Sequence, residues 1–300
     1  MKLVPKLLPA LVLGGAGALA MGIPANAAPA SPSSAMTSQA RPIPRTITPR
    51  TATLIPVIGT SISIPDQSQM RVTANCPKGT VPFGGGVFTS ISSLLLNVND
   101  SFPSGNGWVG DVNNASGETV NGSAAVMCGP KPAHYKVVKA MAVKNPSGRH
   151  TVATATCPTG SKPIGGGAAA TSSQLFTNMA STFPQGKAWR VDENNASSTG
   201  NTITPFAICG QVPGYHVAIG PAGNIMAQTE LFLTADCPPG LIAIGGGAFA
   251  STSSVGVNIN ETAPSTASNF EWVSYINNDS GVNFTGSSVA VCAAFTEPVM

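Results

Sequence analysis

One cysteine-bounded block occurs three times in this chain. The copies open as CPKGTVPFGGG at Cys76, CPTGSKPIGGG at Cys157 and CPPGLIAIGGG at Cys237, and they close on Cys128, Cys209 and Cys292. A Pro, a Trp, an Asn-Asn pair and a Ser return between those ends in the same order. A segment written three times specifies one supersecondary unit three times, so the fold has to be made of three equivalent parts.

The registration is tight. Eight residues separate each opening Cys from the first Gly of its GGG run, and successive opening cysteines lie 81 and then 80 residues apart. From that Gly, an Asn follows at 13 and a Pro at 19. The Trp follows at 24 in the first two copies and at 27 in the third. The extra three residues therefore fall in PSTASNFEW, a surface turn by expectation, because turns tolerate insertion and strands do not.

The intervening segments alternate apolar and small polar residues in short runs, as in HTVATATC, LFLTADC, KPIGGGAAA and WVSYINN. LLLNVNDSFP and its two counterparts read as strands halted by Pro. Five or six short strands per unit and no sustained helical period predict an all-β protein of three repeats of about 80 residues. Two arrangements fit: a β-prism-like pseudo-threefold assembly, or three tandem disulfide-stapled β-domains. The expected divisions are a signal peptide at 1–27, a Pro/Ser/Ala-rich lead-in at 28–52, and repeats at 53–130, 131–211 and 212–300.

Lys2 and Lys6, a short apolar stretch and Ala25-Asn26-Ala27 have the form of a secretory signal. The apolar stretch is too short to span a bilayer, and the FTEPVM end has no hydrophobic tail, so no integral membrane segment is expected after signal removal. Export leads to an oxidising compartment, where six cysteines read as disulfides. Six allow 15 connectivities, but the repeat selects the one that treats each copy alike: Cys76–Cys128, Cys157–Cys209 and Cys237–Cys292. Each closes a loop of more than 50 residues, worth about 4 kcal/mol of chain entropy.

Glycine weakens a strand interior, so GGG three times over needs a reason. It marks where one sheet passes closely against the pseudo-axis or the next unit. A phosphate-cradling loop would want a following helix and usually a Lys, and neither is evident.

Charged residues make up only 9% of the chain. Such a surface lacks the basic density that nucleic-acid binding requires. The charges are polarised, however. Every Lys and Arg lies at or before Arg190; once Lys2 and Lys6 are set aside, that part carries +9, and the remainder carries eight acidic residues with no basic one. A basic face for anionic cell-wall polymer, or head-to-tail self-association, would use this polarity.

The motif series resembles secreted repeat proteins common among actinobacteria, and the CPxG-to-Gly spacing is similar to that of the vitelline membrane outer layer proteins. The second resemblance implies a three-fold β-prism with one sheet per repeat facing a common axis. Neither implies an activity.

No GxSxG elbow, HExxH helix, CxxC pair or calcium-loop spacing occurs, so no catalytic residue, metal or cofactor is expected. His134 and His216 adjoin Tyr135 and Tyr215 in connectors. Asp111 and Asp192 share one repeat position, with Tyr275 in the third, and offer glycoside hydrolysis a matched carboxylate pair drawn from two units. Sugar binding has better parts. Trp108, Trp189 and Trp272, with Asn113, Asn114, Asn194, Asn195, Asn277 and Asn278, combine ring faces with amides. The structural alternative is that each Trp fills the core over its disulfide while each Asn pair shapes a turn. The expected function is therefore non-catalytic interaction at the cell envelope or matrix, by glycan binding or adhesion. A self-associating structural protein and a carboxylate-dependent glycosidase are the alternatives.

Overall fold

A computed structural model of the chain describes residues 53–295. The expected signal peptide and lead-in, and residues 296–300, lie outside the described residues. All regular structure within them is strand, and no helix there is long and apolar enough to cross a membrane.

Each repeat supplies seven strands, not five or six. The first repeat gives β1 (Ile55–Ile58), β2 (Ile62–Ile64), β3 (Ser68–Asn75), β4 (Val81–Thr89), β5 (Leu96–Ser104), β6 (Gly107–Asn114) and β7 (Val120–Gly129). The second gives β8 (Ala133–Lys139), β9 (Val143–Asn145), β10 (Arg149–Thr156), β11 (Lys162–Ala170), β12 (Thr177–Gln185), β13 (Ala188–Asn195) and β14 (Asn201–Gln211). The third gives β15 (His216–Ile219), β16 (Gly223–Ile225), β17 (Thr229–Asp236), β18 (Ile242–Ala250), β19 (Val257–Pro264), β20 (Glu271–Asn278) and β21 (Phe284–Ala293). The unexpected members are β2, β9 and β16, three residues each, too short to show a period.

These strands form three sheets of seven, consistent with a three-fold arrangement. The sheets are not one per repeat, as the β-prism resemblance implied. Each repeat splits itself: β3, β5 and β6 join β8, β9, β11 and β14 of the second repeat. By the same rule β10, β12 and β13 join β15, β16, β18 and β21. Finally β17, β19 and β20 join β1, β2, β4 and β7, so the third repeat pairs with the first and the series closes.

The disulfides match the expected pairing and, given this division, take on a different task. Cys76 follows β3 while Cys128 lies in β7, strands of two different sheets. Cys157–Cys209 and Cys237–Cys292 do the same for the other two sheet pairs. Every pair of sheets is thus tied once.

The glycine runs occupy the close approaches that their composition demanded. A Cβ on Gly84 would collide with Gly245, one on Gly245 with the backbone of Ile164, and one on Gly165 with Phe83 and Gly84, so the three first glycines meet one another. The second of each run, Gly85, Gly166 or Gly246, lies against the indole of its own repeat. The third, Gly86, Gly167 or Gly247, faces the backbone of the partner strand at Thr262, Ser101 or Thr182. A β-bulge at Pro82/Gly84, Pro163/Gly165 and Ala243/Gly245 enters each run.

Pro does not halt the middle strand as expected in the first two copies. β5 and β12 run one residue past Pro103 and Pro184, and only β19 ends on its Pro, Pro264. The proline sits opposite Trp108, Trp189 or Trp272 beside a hairpin turn, where a missing ladder donor costs least. The three-residue insertion falls between β19 and β20, in a turn.

Candidate functional site

The residues expected to bind sugar hold the fold together instead. Trp108, Trp189 and Trp272 are at most 1% exposed. Their Nε1–H groups donate to Ser101 Oγ at 2.7 Å, Thr182 Oγ1 at 2.8 Å and Thr262 Oγ1 at 2.8 Å. Trp272 packs with Cys237 and Cys292, over its disulfide. A ring buried on both faces offers nothing for a sugar to stack on.

The Asn pairs are equally committed. Asn113 Nδ2 donates to Thr177 O at 2.8 Å, Asn194 Nδ2 to Ser254 O at 3.0 Å, and Asn277 Nδ2 to Ser93 O and Leu96 O, both at 2.9 Å. Each first Asn therefore clamps a turn of the next repeat, the third returning to the first. The second Asn of each pair closes its own turn. Asn114 Oδ1 accepts from Ser116 N and Oγ, Asn195 Oδ1 from the same groups of Ser197, and Asn278 Oδ1 from those of Ser280. Substituting any of these six buried amides strips carbonyls of their donors.

Asp111 and Asp192 do not come together as a catalytic pair would. They lie in β6 and β13, in different sheets, and each is forked by an arginine. Arg71 reaches Asp111 through Nε at 2.8 Å and Nη2 at 2.6 Å, and Arg190 reaches Asp192 at 2.6 and 2.9 Å. Tyr135 and Tyr215 donate their hydroxyls to Pro82 O and Pro163 O in the preceding repeat, which makes the connectors structural.

An open, chemically varied place lies where β19 and β20 meet the end of β4. A bulge at Asn260 turns Glu261 toward β4 of the first repeat, where its Oε2 accepts from Thr89 N at 3.1 Å. Asn260 Oδ1 accepts from Thr89 Oγ1 at 2.7 Å, and its Nδ2 donates to Glu230 Oε2 at 3.3 Å. Thr89, Ser90, Ile91, Ser92, Asn260, Glu261 and Tyr275 line a polar hollow of ≈ 220 Å³. Beside it the rings of Tyr275 and Phe232 lie 4.7 Å apart, and Phe232 is 46% exposed.

Its electrostatics are one-signed. Burial pushes the Glu261 carboxyl up to about 7, and the charge of Glu230 adds to that. Burial raises Glu230 as well. Burial also raises the Tyr275 hydroxyl, reinforced by Glu261 and Glu230. The equivalent place in the first repeat holds Asp100, whose oxygens accept from Asp111 N at 3.0 Å and Ala170 N at 3.3 Å. Burial and the neighbouring Asp111 push Asp100 up to about 8 against the pull of that N–H and Arg71. The second repeat has Ser181 there, donating no charge and accepting from Ala250 N.

Glu230 and Glu261 escaped the sequence reading because they are 31 residues apart and neither belongs to the shared motif. An alignment of the three copies exposes both: Glu230 stands where the others have Gln69 and His150, and Glu261 where they have Asp100 and Ser181.

At the end where the Asn clamps converge, Leu94, Leu95, Leu175, Phe176 and Val255 surround Asn97, Asn178 and Asn258 in an apolar depression of ≈ 120 Å³. No family model and no curated protein matches the chain.

Proposed function

We propose that this is an exported, non-catalytic binding protein of the cell envelope or extracellular matrix, with its three sheets as the faces of a β-prism, and that it binds glycan at the hollow of the third repeat. The resemblance to secreted actinobacterial repeat proteins and the three disulfides suit an oxidising destination. The observation that carries the reading is the conjunction of a half-exposed Tyr275–Phe232 shelf with the acceptors and donors of Glu261, Asn260, Thr89 and Ser92. A sugar presents an apolar face to such rings and hydroxyls to such polar groups. Calorimetric titration with cell-wall oligosaccharides tests it. Binding should be lost in Phe232→Ala and Tyr275→Ala, and retained in Phe176→Ala at the separate apolar depression. Binding that survives both shelf substitutions overturns the site.

A second reading, self-association, is favoured by how the sheets divide the charge. Arg71, Lys136, Lys139, Lys144 and Lys162 lie on one sheet, while Glu230, Asp236, Glu261 and Glu271 lie on another that has no basic residue in its strands. Opposite faces of this kind attract a second copy head to tail, or an anionic polymer on the basic side. Oligomers that dissolve as salt is raised support it; a state unchanged between low and high salt refutes its electrostatic form.

A further inference from the structure

The second repeat crosses from β8 to β9 differently from the way the other two make the same step. Lys139 lies opposite Phe206 and Lys144 opposite Thr202 on β14. Thr202, Thr204 and Phe206 are half-buried while Ile203, Pro205 and Ala207 between them are buried, so the first set faces outward. Lys139 and Lys144 therefore stand on the outer face, four β14 residues or about 13 Å apart. Lys139 Nζ lies 6.0 Å from the centroid of the Phe206 ring. The connection between the two strands is Ala140-Met141-Ala142. Met141 is 88% exposed, more than any other large hydrophobic among the described residues, and Val137 is exposed beside it on β8.

Protection of a sheet edge does not account for these residues. Lysines on an edge strand keep other chains from pairing with it, yet the equivalent strands β1 and β15 carry Ile58 and Ile219 where β8 carries Lys139. Ser63 and Asn224 stand in the place of Lys144, and Thr60 and Pro221 in that of Met141. The field around the crossing is one-signed. No Asp or Glu occurs between Glu118 and Asp192, a stretch that holds eight Lys and Arg. The strands of this sheet contain two carboxylates, Asp100 and Asp111, both buried, and Arg71 grips Asp111. Lys136, Lys139 and Lys144 are in no ion pair among the described residues.

We propose that the β8–β9 crossing docks the protein onto an anionic lipid surface, with Lys136, Lys139 and Lys144 against the headgroups and Met141 inserted at the acyl boundary. The combination of side chains selects the partner. A soluble polyanion, or the acidic sheet of a second copy, would use the lysines and leave Met141 in water. A bilayer interface rewards an apolar tip flanked by cations. Each lysine near such a surface strengthens binding about fivefold, and the three together about a hundredfold. The attachment is peripheral and reversible, far from the hold of a spanning segment. It goes beyond the glycan reading, since it uses a different sheet from the one that carries β19 and β20 and needs no sugar.

The experiment is co-sedimentation of the disulfide-intact exported chain with vesicles of phosphatidylcholine alone, or of phosphatidylcholine and phosphatidylglycerol in equal parts. Binding to the anionic vesicles should exceed binding to the neutral ones by about tenfold or more at low salt, and should weaken as salt is raised. Lys139→Gln combined with Lys144→Gln should lower it about twentyfold, and Met141→Asp about fivefold or more. All three side chains are exposed, so thermal midpoints should stay at the natural value, which separates loss of docking from loss of fold. Equal binding to the two kinds of vesicle overturns the proposal. Undiminished binding by Met141→Asp overturns it too, and assigns the lysines to a soluble polyanion if polygalacturonate then strips the protein from the vesicles.

Discussion

Replacing Glu193 with isoleucine should stabilise this protein, and by an amount that depends on pH. In β13, Trp189, Val191 and Glu193 share the inward face by strand alternation. The residues in the same register in β6 and β20 are Val112 and Ile276, and all three positions are 0% exposed. Neither carboxyl oxygen of Glu193 has a hydrogen-bond partner. Burial, reinforced by the charge of Asp100, holds its pKa well above the ordinary 4.5. A carboxyl raised in this way is protonated in the native state while the unfolded chain ionises. Its contribution is therefore most favourable below 4.5 and is lost as pH rises toward the native pKa. The loss is about 1.4 kcal/mol for each pH unit between the unfolded and the native pKa. Isoleucine also removes two unpaired buried oxygens, worth about 1–3 kcal/mol at any pH.

Equilibrium unfolding in guanidinium with disulfides intact, from pH 4 to pH 8, measures both parts. The stability difference between Glu193→Ile and the natural chain should be small and positive at pH 4. It should then grow by about 1.4 kcal/mol per unit above the ordinary glutamate range. Glu193→Gln should lose the pH-dependent part while keeping the desolvation cost. A difference that stays flat with pH, or an isoleucine variant less stable than the natural chain, would refute the assignment of a neutral, unpartnered carboxyl.

Trp189→Ala should lose about 3–5 kcal/mol, read from the guanidinium midpoint, because it empties a fully buried site. Gly165→Ala should abolish soluble, disulfide-complete protein, since its Cβ meets backbone atoms of the first repeat that have nowhere to go; Gly200→Ala, in ordinary contact distance, should fold. Removing one bridge as Cys157→Ser with Cys209→Ser should cost about 2–5 kcal/mol in the same assay.

What the sequence made legible was whatever each repeat does identically. The cysteine partners, the close approach at GGG, the Asn-Asn-x-Ser turns and the insertion between Pro264 and Trp272 all follow from local chemistry written three times. The exchange of strands between repeats was not legible, because β4 carries no mark saying whether it will pair with β5 of its own copy or β19 of another. The role of Trp and Asn was open for a related reason. Conserved spacing within a chain identifies a shared place, and only burial decides between core and surface. The hollow of the third repeat was hidden by the opposite cause. Glu230, Glu261 and Tyr275 are where that copy stops agreeing with the others, and a search for agreement passes over them.

The pairing of β4 with β19 has a consequence for how such a chain can change. A solenoid gains or loses a unit at its end and stays folded, because each unit needs only its neighbour. Here the last unit finishes a sheet that the first one began, and the glycines at the centre leave room for three backbones. Deleting a unit leaves two half-sheets without their partners, and a fourth added to three already closed brings two half-sheets with nothing to pair. The number three is therefore a property of the closure itself, so the copies are free to diverge one side chain at a time but not to vary in number.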